Sequence, residues 1–219
     1  MPDNKMIYES VCAANKRIRN DIVKTPMVQS SAFSEEFHCS LFVKMEHKQR
    51  TGSFKLRGAH SKLSLIAQSH ERQCIVTAST GNHGLACLDA MSRYGVKGKI
   101  VVPETVAQCK KDKLVSLGAE LVLHGTDCEE TETAARAMAS DSVQYVSPYN
   151  DLDIVAGQGT LGLEIIDQCP GLEYLFISVG GGGLVAGVAA VIKHVKPSVI
   201  IVGCQPEASP VMKKVLIVR

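Results

Sequence analysis

Apolar and polar residues alternate in blocks along this chain, and the blocks switch between two spacings. Short, nearly continuous apolar runs predict strands, and the segments after them repeat their apolar positions at the intervals that are typical of helices. In Ser53–Ser69, one helical face is apolar and consists of Leu56, Ala59, Leu63 and Ile66. Strand and helix alternate about every 20 residues, which is typical of parallel sheets covered by helices.

The predicted fold class is therefore α/β, with two open, mostly parallel sheets. The predicted strands are Ser40–Glu46, Cys74–Ala78, Lys99–Pro103, Glu120–His124, Val143–Val146, Tyr174–Val179 and Val199–Cys204. The predicted helices are Ser53–Ser69, Asn82–Tyr94, Val106–Leu117, Asp127–Ser140, Asp151–Gln168 and Leu184–Val195.

The segment 147–150, Ser-Pro-Tyr-Asn, is rich in turn residues and is the best candidate for a hinge. The 219 residues correspond to about one and a half typical domains, and a chain of this size buries roughly 70% of its unfolded surface. We predict a larger domain formed by residues 1–66 and 151–219. Residues 67–150 are predicted to form a smaller α/β domain.

The charge balance limits the classes of partner. Lysine and arginine exceed aspartate and glutamate by 24 − 22 = 2, and without a basic stripe this argues against nucleic acid. Charged residues and glycines interrupt the apolar runs before they reach the length of a membrane span. The first five residues do not resemble the start of a signal peptide. We expect no nucleic acid and no membrane as partner, and self-association into a homo-oligomer stays open.

The chain contains eight cysteines, a number that suggests disulfides in a secreted protein. None forms a Cys-x-x-Cys pair or has a histidine at the spacing of zinc ligands. Most lie in apolar stretches, as Cys204 does after Ile200, so we predict buried free thiols. Free thiols indicate a reducing compartment, and the predicted location is the cytoplasm.

Three loops carry candidate chemistry, and the first is residues 51–59. Thr51 or Ser53 is able to cap a helix that Lys55 enters in its first turn. The partial positive charge of the helix N-terminus disfavours an ammonium there. It therefore favours the neutral amine that a Schiff base with an aldehyde requires. The alternative from the residues alone is an ordinary surface lysine.

The second loop, Ser79–Gly84, connects a predicted strand to a predicted helix. Its backbone N–H groups form a seat for a carboxylate or phosphate. Ser79 and Thr80 add hydroxyl donors, and Asn82 adds an amide. Taken alone, the loop also fits an ordinary capped turn, in which His83 packs or caps.

The third loop contains four consecutive glycines, Gly180–Gly183, between a strand and a helix. Glycines without Cβ atoms let backbone N–H groups approach an anion closely, so we predict phosphate binding. The run Gly181–Ala186 also matches the G-x-G-x-x-A pattern of dinucleotide sites, with Glu207 after the next strand. That single match is weak, and it leaves a dehydrogenase as a minor alternative.

Together the three loops resemble, in their order and in their amino-acid sequences, the fold-type II pyridoxal-phosphate enzymes. The threonine/serine dehydratases and serine racemase are the most similar branch, and the resemblance runs from about residue 5 to the end. The motifs that carry it are Ser53–Ala59, Ser79–Gly84 and Gly180–Leu184, supported by Val102–Thr105, Ala156–Thr160 and Gln205–Glu207.

The resemblance implies pyridoxal 5′-phosphate as cofactor and a small amino acid as substrate. Lys55 would form the Schiff base, Phe54 would lie against the cofactor ring, and Asn82 would bind its 3′-hydroxyl. The phosphate would be bound by Gly180, Gly181, Gly182, Gly183 and Leu184. The substrate carboxylate would be held by Ser79, Thr80, Gly81, Asn82 and His83.

The implied reaction is deamination of L-threonine or L-serine to a 2-oxoacid and ammonia. Thr80 stands where serine racemases carry the serine that acts as base on the opposite cofactor face, so racemisation is the first alternative. Gln205 stands where some relatives bind a divalent cation through a glutamate, so no metal is expected.

The family usually continues for about a hundred residues beyond the point that this chain reaches. We therefore expect the C-terminal part of the larger domain to be missing, with unpaired strand edges and exposed apolar faces. This expectation motivates another alternative: a non-catalytic paralogue that binds the cofactor or a sibling subunit.

Overall fold

The predicted alternation of strands and helices is present in the computed structural model, which describes residues 3–69, 74–210 and 212. The helices are α1 (Asn4–Ile18), α2 (Ser31–Glu36), α3 (Lys55–Gln68), α4 (Asn82–Tyr94), α5 (Gln108–Ser116), α6 (Cys128–Ala137), α7 (Leu152–Gln168) and α8 (Gly183–Val195). The strands are β1 (Met27–Gln29), β2 (Phe42–Lys44), β3 (Cys74–Ala78), β4 (Lys97–Val102), β5 (Glu120–Leu123), β6 (Val143–Tyr145), β7 (Tyr174–Ser178) and β8 (Ile200–Cys204).

The strands form two parallel sheets and one antiparallel pair. The larger parallel sheet has the order β5-β4-β3-β6, with Val76 of β3 opposite both Lys99 and Tyr145. β7 and β8 form the second parallel sheet. β1 and β2 pair antiparallel, with Val28 opposite Val43. The predicted α/β class is confirmed, and the described residues contain this small antiparallel pair in addition to the two expected sheets.

The sequence pattern predicted the N-terminal elements less well than the rest of the fold. The predicted strand Ser40–Glu46 is shorter, because a 3₁₀ turn at Glu46–Lys48 follows β2. The pattern did not reveal α1, β1 or α2. Helix α2 buries no side chain and β1 has three residues, so neither leaves a periodic apolar signal.

The two main cores lie on the two parallel sheets. The apolar face predicted for α3 is buried, and Leu63 packs with Ile75 of β3 and Ala86 of α4. The second core joins α7, α8 and the β7–β8 sheet around Ile165 and Val188. Among the described residues, no helix is both long and apolar enough to span a bilayer. The predicted division into 1–66 plus 151–219 and 67–150 stays a prediction.

Helix α7 contains several glycines, yet it is the helix on which α1, α3 and α8 pack. A Cβ added at Gly157 would lie 2.4 Å from the Arg57 carbonyl oxygen of α3. One added at Gly187 of α8 would lie 2.2 Å from the Val155 carbonyl oxygen. The glycines therefore let the helix backbones touch, and this contact offsets their low helix propensity.

A buried ionic cluster joins the start of α3 to the neighbouring elements. The Arg57 guanidinium donates to both carboxylate oxygens of Glu46, each at 2.8 Å, and to Glu164 Oε1 of α7 at 2.7 Å. Lys44 Nζ donates to Glu164 Oε2 at 2.5 Å. The Arg57 side chain is 1% exposed, so the charges are satisfied by one another rather than by water.

One face of the β7–β8 sheet is open to solvent and carries apolar side chains. Phe176 is 68% exposed, Tyr174 is 55% exposed and Ile200 is 48% exposed. Exposed apolar area of this kind is unusual for a parallel sheet, whose two faces are normally covered.

All eight cysteines lie in the described residues and are free thiols, as predicted. The prediction that most of them are buried was wrong, because Cys87 is buried and four others are exposed. The exposed four are Cys39, Cys109, Cys128 and Cys204. Cys109 and Cys128 lie in the first turns of α5 and α6, where the helices turn these positions toward solvent.

Candidate active site

Lys55 is the first residue of α3, and its side chain is directed toward the 147–150 segment. Its Nζ donates a hydrogen bond to the Pro148 carbonyl oxygen at 2.8 Å. The helix is preceded by Phe54 and has no side-chain cap. The Phe54 ring centroid lies 5.4 Å from Nζ. The predicted position of Lys55 in the first turn of a helix is thus observed.

The Lys55 amine lies in surroundings that favour its neutral form. Burial lowers the pKa of Lys55 below its ordinary value, and the neighbouring Cys87 acts weakly in the opposite direction. The position of Lys55 at a helix N-terminus predicts a neutral amine through the helix dipole, whereas desolvation is the largest cause in the structure. A neutral amine is the form that attacks an aldehyde and accepts a proton.

The second loop occupies the predicted place at the carboxyl end of β3. The Gly81 N–H donates to Ser79 Oγ at 3.2 Å, and α4 begins at Asn82 without a side-chain cap. The N–H groups of the first turn of α4 are therefore available to an anion. Thr80 is half-buried and Asn82 is exposed at this helix start.

His83 and Cys87 lie one turn apart on the buried face of α4. His83 Nε2 is 3.6 Å from Cys87 Sγ. Burial lowers the pKa of His83 to about 3, helped by the nearby Lys55 and opposed weakly by the Val146 carbonyl. Burial also raises the pKa of Cys87 to about 12. Both groups are therefore neutral beside Lys55 at physiological pH.

Acid should destabilise the protein through His83. The pKa of His83 is about 3 in the folded chain and its ordinary value is 6.5. Between these values the unfolded chain binds a proton that the folded chain does not, so the free energy of unfolding falls as pH decreases from 6.5 toward 3. Substitution His83→Asn is expected to flatten this fall, measured by urea unfolding at about pH 7 and about pH 5.

His38→Asn is the matched control. His38 is exposed and has a φ of 50°, a conformation that asparagine tolerates. The free energy of unfolding of the His38→Asn chain should fall in acid as steeply as that of the natural chain. An equally steep loss in the His83→Asn chain would show that His83 is not the acid-sensitive group.

The third loop joins β7 to α8 and is shaped by its glycines. Gly182 has a φ of 89°, in the left-handed region that side chains rarely adopt, and α8 begins at Gly183. A Cβ on Gly181 would lie 2.3 Å from Cγ of Tyr149, and one on Gly183 would lie 2.9 Å from the Tyr149 carbonyl oxygen. The loop thus presents backbone rather than side chains at a helix N-terminus.

Pro148 and Tyr149 connect the lysine to the glycine loop. The Pro148 carbonyl accepts the hydrogen bond from Lys55, and the next residue lies against Gly181 and Gly183. From the sequence alone, these two residues are predicted only as part of a hinge. Their place within four residues of the end of the parallel strand β6 was the available signal, because ligands bind at the carboxyl ends of such strands.

The residues around Lys55 fit a phosphorylated aldehyde. Ser53 Oγ is buried and has no hydrogen-bond partner among the described residues, which points to a polar ligand. The Lys55 amine, whose pKa is lowered by burial, suits the aldehyde, and the backbone N–H groups of the glycine loop at the start of α8 suit a phosphate. Pyridoxal phosphate combines these two groups.

Nothing among the described residues forms a group of three or more histidine, cysteine, aspartate or glutamate side chains that could hold a metal ion. Gln205 donates through Nε2 to the Val179 carbonyl oxygen at 3.2 Å. The expectation that the protein binds no metal stays a prediction.

A half-buried lysine at a helix start, opposite a glycine loop at the end of a parallel strand, is typical of a cofactor site for pyridoxal phosphate. The model of the family "Pyridoxal-phosphate dependent enzyme" matches residues 18–217, and the chain belongs to this family. Within it, the chain is 37% identical over 205 residues to an L-threonine ammonia-lyase of Thermotoga maritima, covering 93% of this chain.

Solved structures agree with this assignment. The processed form of threonine deaminase isoform 2 from Solanum lycopersicum superposes with a TM-score of 0.90 at 32% identity, over 99% of this chain. Serine racemase from Dictyostelium discoideum gives a TM-score of 0.88 at 30% identity, over 97% of this chain. The chain spans 51% of the length of the Thermotoga enzyme, 64% of the tomato chain and 70% of the Dictyostelium chain.

Proposed function

We propose that this protein uses pyridoxal phosphate to deaminate L-threonine, L-serine or both to a 2-oxoacid and ammonia. The observation that carries the proposal is the meeting of the Lys55 amine and the glycine loop on the adjacent residues Pro148 and Tyr149. Similarity to the Thermotoga threonine ammonia-lyase supports threonine as a substrate.

Each site residue has a proposed role that follows from its position. Phe54 would lie against the cofactor ring, Asn82 would bind its 3′-hydroxyl, and the N–H groups of Gly180–Leu184 would bind its phosphate. The substrate carboxylate is held by the loop at the start of α4, through Ser79, Thr80, Gly81, Asn82 and His83. Because His83 is neutral, it contributes a hydrogen bond rather than a charge.

Bound pyridoxal phosphate supplies an electron sink that stabilises negative charge at the substrate Cα. Lys55 is the proposed base: its neutral Nζ accepts the Cα proton. Burial lowers the pKa of that amine and so favours its unprotonated form, and the hydrogen bond to the Pro148 carbonyl orients it. Overall, the β-hydroxyl leaves as water, a water molecule is consumed in hydrolysis, and ammonia is released.

Serine racemase is the second candidate, favoured by the similarity to the Dictyostelium structure and by the Thr80 hydroxyl. In this role Thr80 exchanges a proton on the face opposite to Lys55. A third candidate is a chain that binds the cofactor without turnover. The products separate the three: a 2-oxoacid, the D-amino acid, or neither with the cofactor bound.

The test is a spectrum followed by a product assay. The purified chain should absorb in the visible range after incubation with pyridoxal phosphate, and borohydride should fix the cofactor to the peptide that contains Lys55. The loaded protein should release 2-oxobutyrate from L-threonine or pyruvate from L-serine. A protein that stays colourless, or a cofactor fixed at another lysine, contradicts the proposal.

A further inference from the structure

We propose that Tyr149 is a positioning residue that shapes the phosphate-binding glycine loop and is itself held by Glu132 of α6. The inference rests on the proposed function, because it concerns the site that is proposed to bind the cofactor phosphate. It assigns a role to two residues that the motifs of this site do not include.

The first observation is the contact between Tyr149 and the loop. The Tyr149 ring occupies the space in which a Cβ of Gly181 would lie, with Cγ, Cδ1 and Cβ within 2.3 to 2.8 Å of that position. The Tyr149 backbone likewise occupies the space in which a Cβ of Gly183 would lie. The ring therefore forms the wall against which the loop turns, and the loop conformation depends on it.

The second observation is what holds the ring. The Tyr149 hydroxyl donates to the Glu132 carboxylate, at 3.2 Å from Oε1 and 3.1 Å from Oε2. Arg136 and Tyr145 also donate to Glu132 Oε1, at 2.6 and 3.2 Å. Although burial acts against it, these hydrogen bonds hold the pKa of Glu132 below its ordinary value. The carboxylate is therefore charged and is a strong acceptor.

These contacts form a chain of interactions between two parts of the fold. Helix α6 packs on β3 and β4 of the larger parallel sheet, whereas the glycine loop belongs to the β7–β8 sheet. Tyr149 touches both, and its neighbour Pro148 accepts the hydrogen bond of Lys55. Glu132 and Tyr149 thus set where the phosphate end of the site lies relative to the amine.

Two probes separate the phosphate end from the amine end. Pyridoxal phosphate uses both, and pyridoxal, which has no phosphate, uses only the amine. The full chain, freed of cofactor, is titrated with each aldehyde, and the adduct at Lys55 is fixed with borohydride and quantified by peptide mapping. The half-maximal concentration is the measured quantity.

Tyr149→Ala is expected to raise the half-maximal concentration for pyridoxal phosphate by about tenfold or more, and to leave that for pyridoxal within about twofold. Tyr149→Phe keeps the ring and loses the hydroxyl, so we expect about a threefold rise for pyridoxal phosphate. Tyr145→Phe is the matched control, because it removes a hydrogen bond to the same carboxylate from a ring other than the one that packs against Gly181. Its titrations should match those of the natural chain.

Circular dichroism and urea unfolding establish that each variant is folded, and Tyr149→Phe keeps the test valid if Tyr149→Ala does not fold. The inference alone is overturned if the Tyr149 variants raise the half-maximal concentrations of both aldehydes equally. It is also overturned if the natural chain binds pyridoxal phosphate and the variants bind it with an unchanged half-maximal concentration. An equal effect of Tyr145→Phe and Tyr149→Phe also overturns it. Failure of the natural chain to bind pyridoxal phosphate overturns the proposed function and the inference together.

Discussion

Replacing Lys55 with alanine is expected to reduce release of 2-oxobutyrate and pyruvate by about a thousandfold or more, because the substitution removes the base and the covalent anchor together. Nζ of the half-buried Lys55 donates to the Pro148 carbonyl at the start of α3, and burial lowers its pKa, which favours the neutral form. The measurements are turnover with L-threonine and L-serine, and the amount of cofactor that borohydride fixes to the chain.

Lys48→Ala is the control for this substitution. Lys48 is an exposed lysine in the 3₁₀ turn before α3, so its loss removes one lysine without touching the site. It should retain full turnover and full attachment. Adding a small primary amine, such as methylamine, should restore part of the activity of the Lys55→Ala chain if the missing amine is the cause. Full turnover by the Lys55→Ala chain would refute the proposed role.

Replacing Arg57 with alanine is expected to lower the free energy of unfolding by about 3–5 kcal/mol, because it leaves two carboxylates, each only 14% exposed, without their main counter-charge. Arg57 binds both oxygens of Glu46 and the carboxylate of Glu164, so its loss affects two elements that pack on α3. Lys44 remains beside Glu164 but does not replace the paired hydrogen bonds of the guanidinium. Urea unfolding at neutral pH measures the change.

Arg50→Ala is the matched control, since Arg50 also pairs with a carboxylate but lies at the surface. Its side chain is 43% exposed, and Asp89 is 25% exposed. An exposed ion pair contributes about 0–1 kcal/mol, so this variant should unfold almost as the natural chain does. Equal losses for the two arginine variants would show that burial of Arg57 does not decide its contribution.

The candidate site could be placed from the sequence because its parts follow a general rule. Lys55 precedes an apolar helical stripe, and the Ser79–Gly84 and Gly180–Leu184 loops each follow an apolar strand. In parallel sheets such loops lie at the ligand-binding edge. The sequence did not identify the cause of the lowered Lys55 pKa, because desolvation depends on what packs around the amine. The helix dipole, which sequence position alone suggests, is not the largest cause.

Tyr149 and Glu132 illustrate what the pattern could not provide. Tyr149 lies in the short segment after β6, and Glu132 lies on the polar part of α6. Neither position belongs to a periodic apolar pattern. Their contact, and the contact of Tyr149 with Gly181, depends on how β6, α6 and α8 are placed in space. Helix α2 was not predicted for a related reason: it buries no side chain, so its sequence shows no apolar periodicity.

The sequence by itself determined the alternation of strands and helices, the α/β class, the three loops and the family they resemble. These features follow from local periodicity and from residue types at fixed spacing, which any chain displays before it folds. Only the tertiary structure decided that Pro148 and Tyr149 join the lysine to the glycine loop, that Arg57 is buried between two carboxylates, and that His83 is neutral. Burial and contacts between distant segments arise only when the elements pack, so no local pattern encodes them.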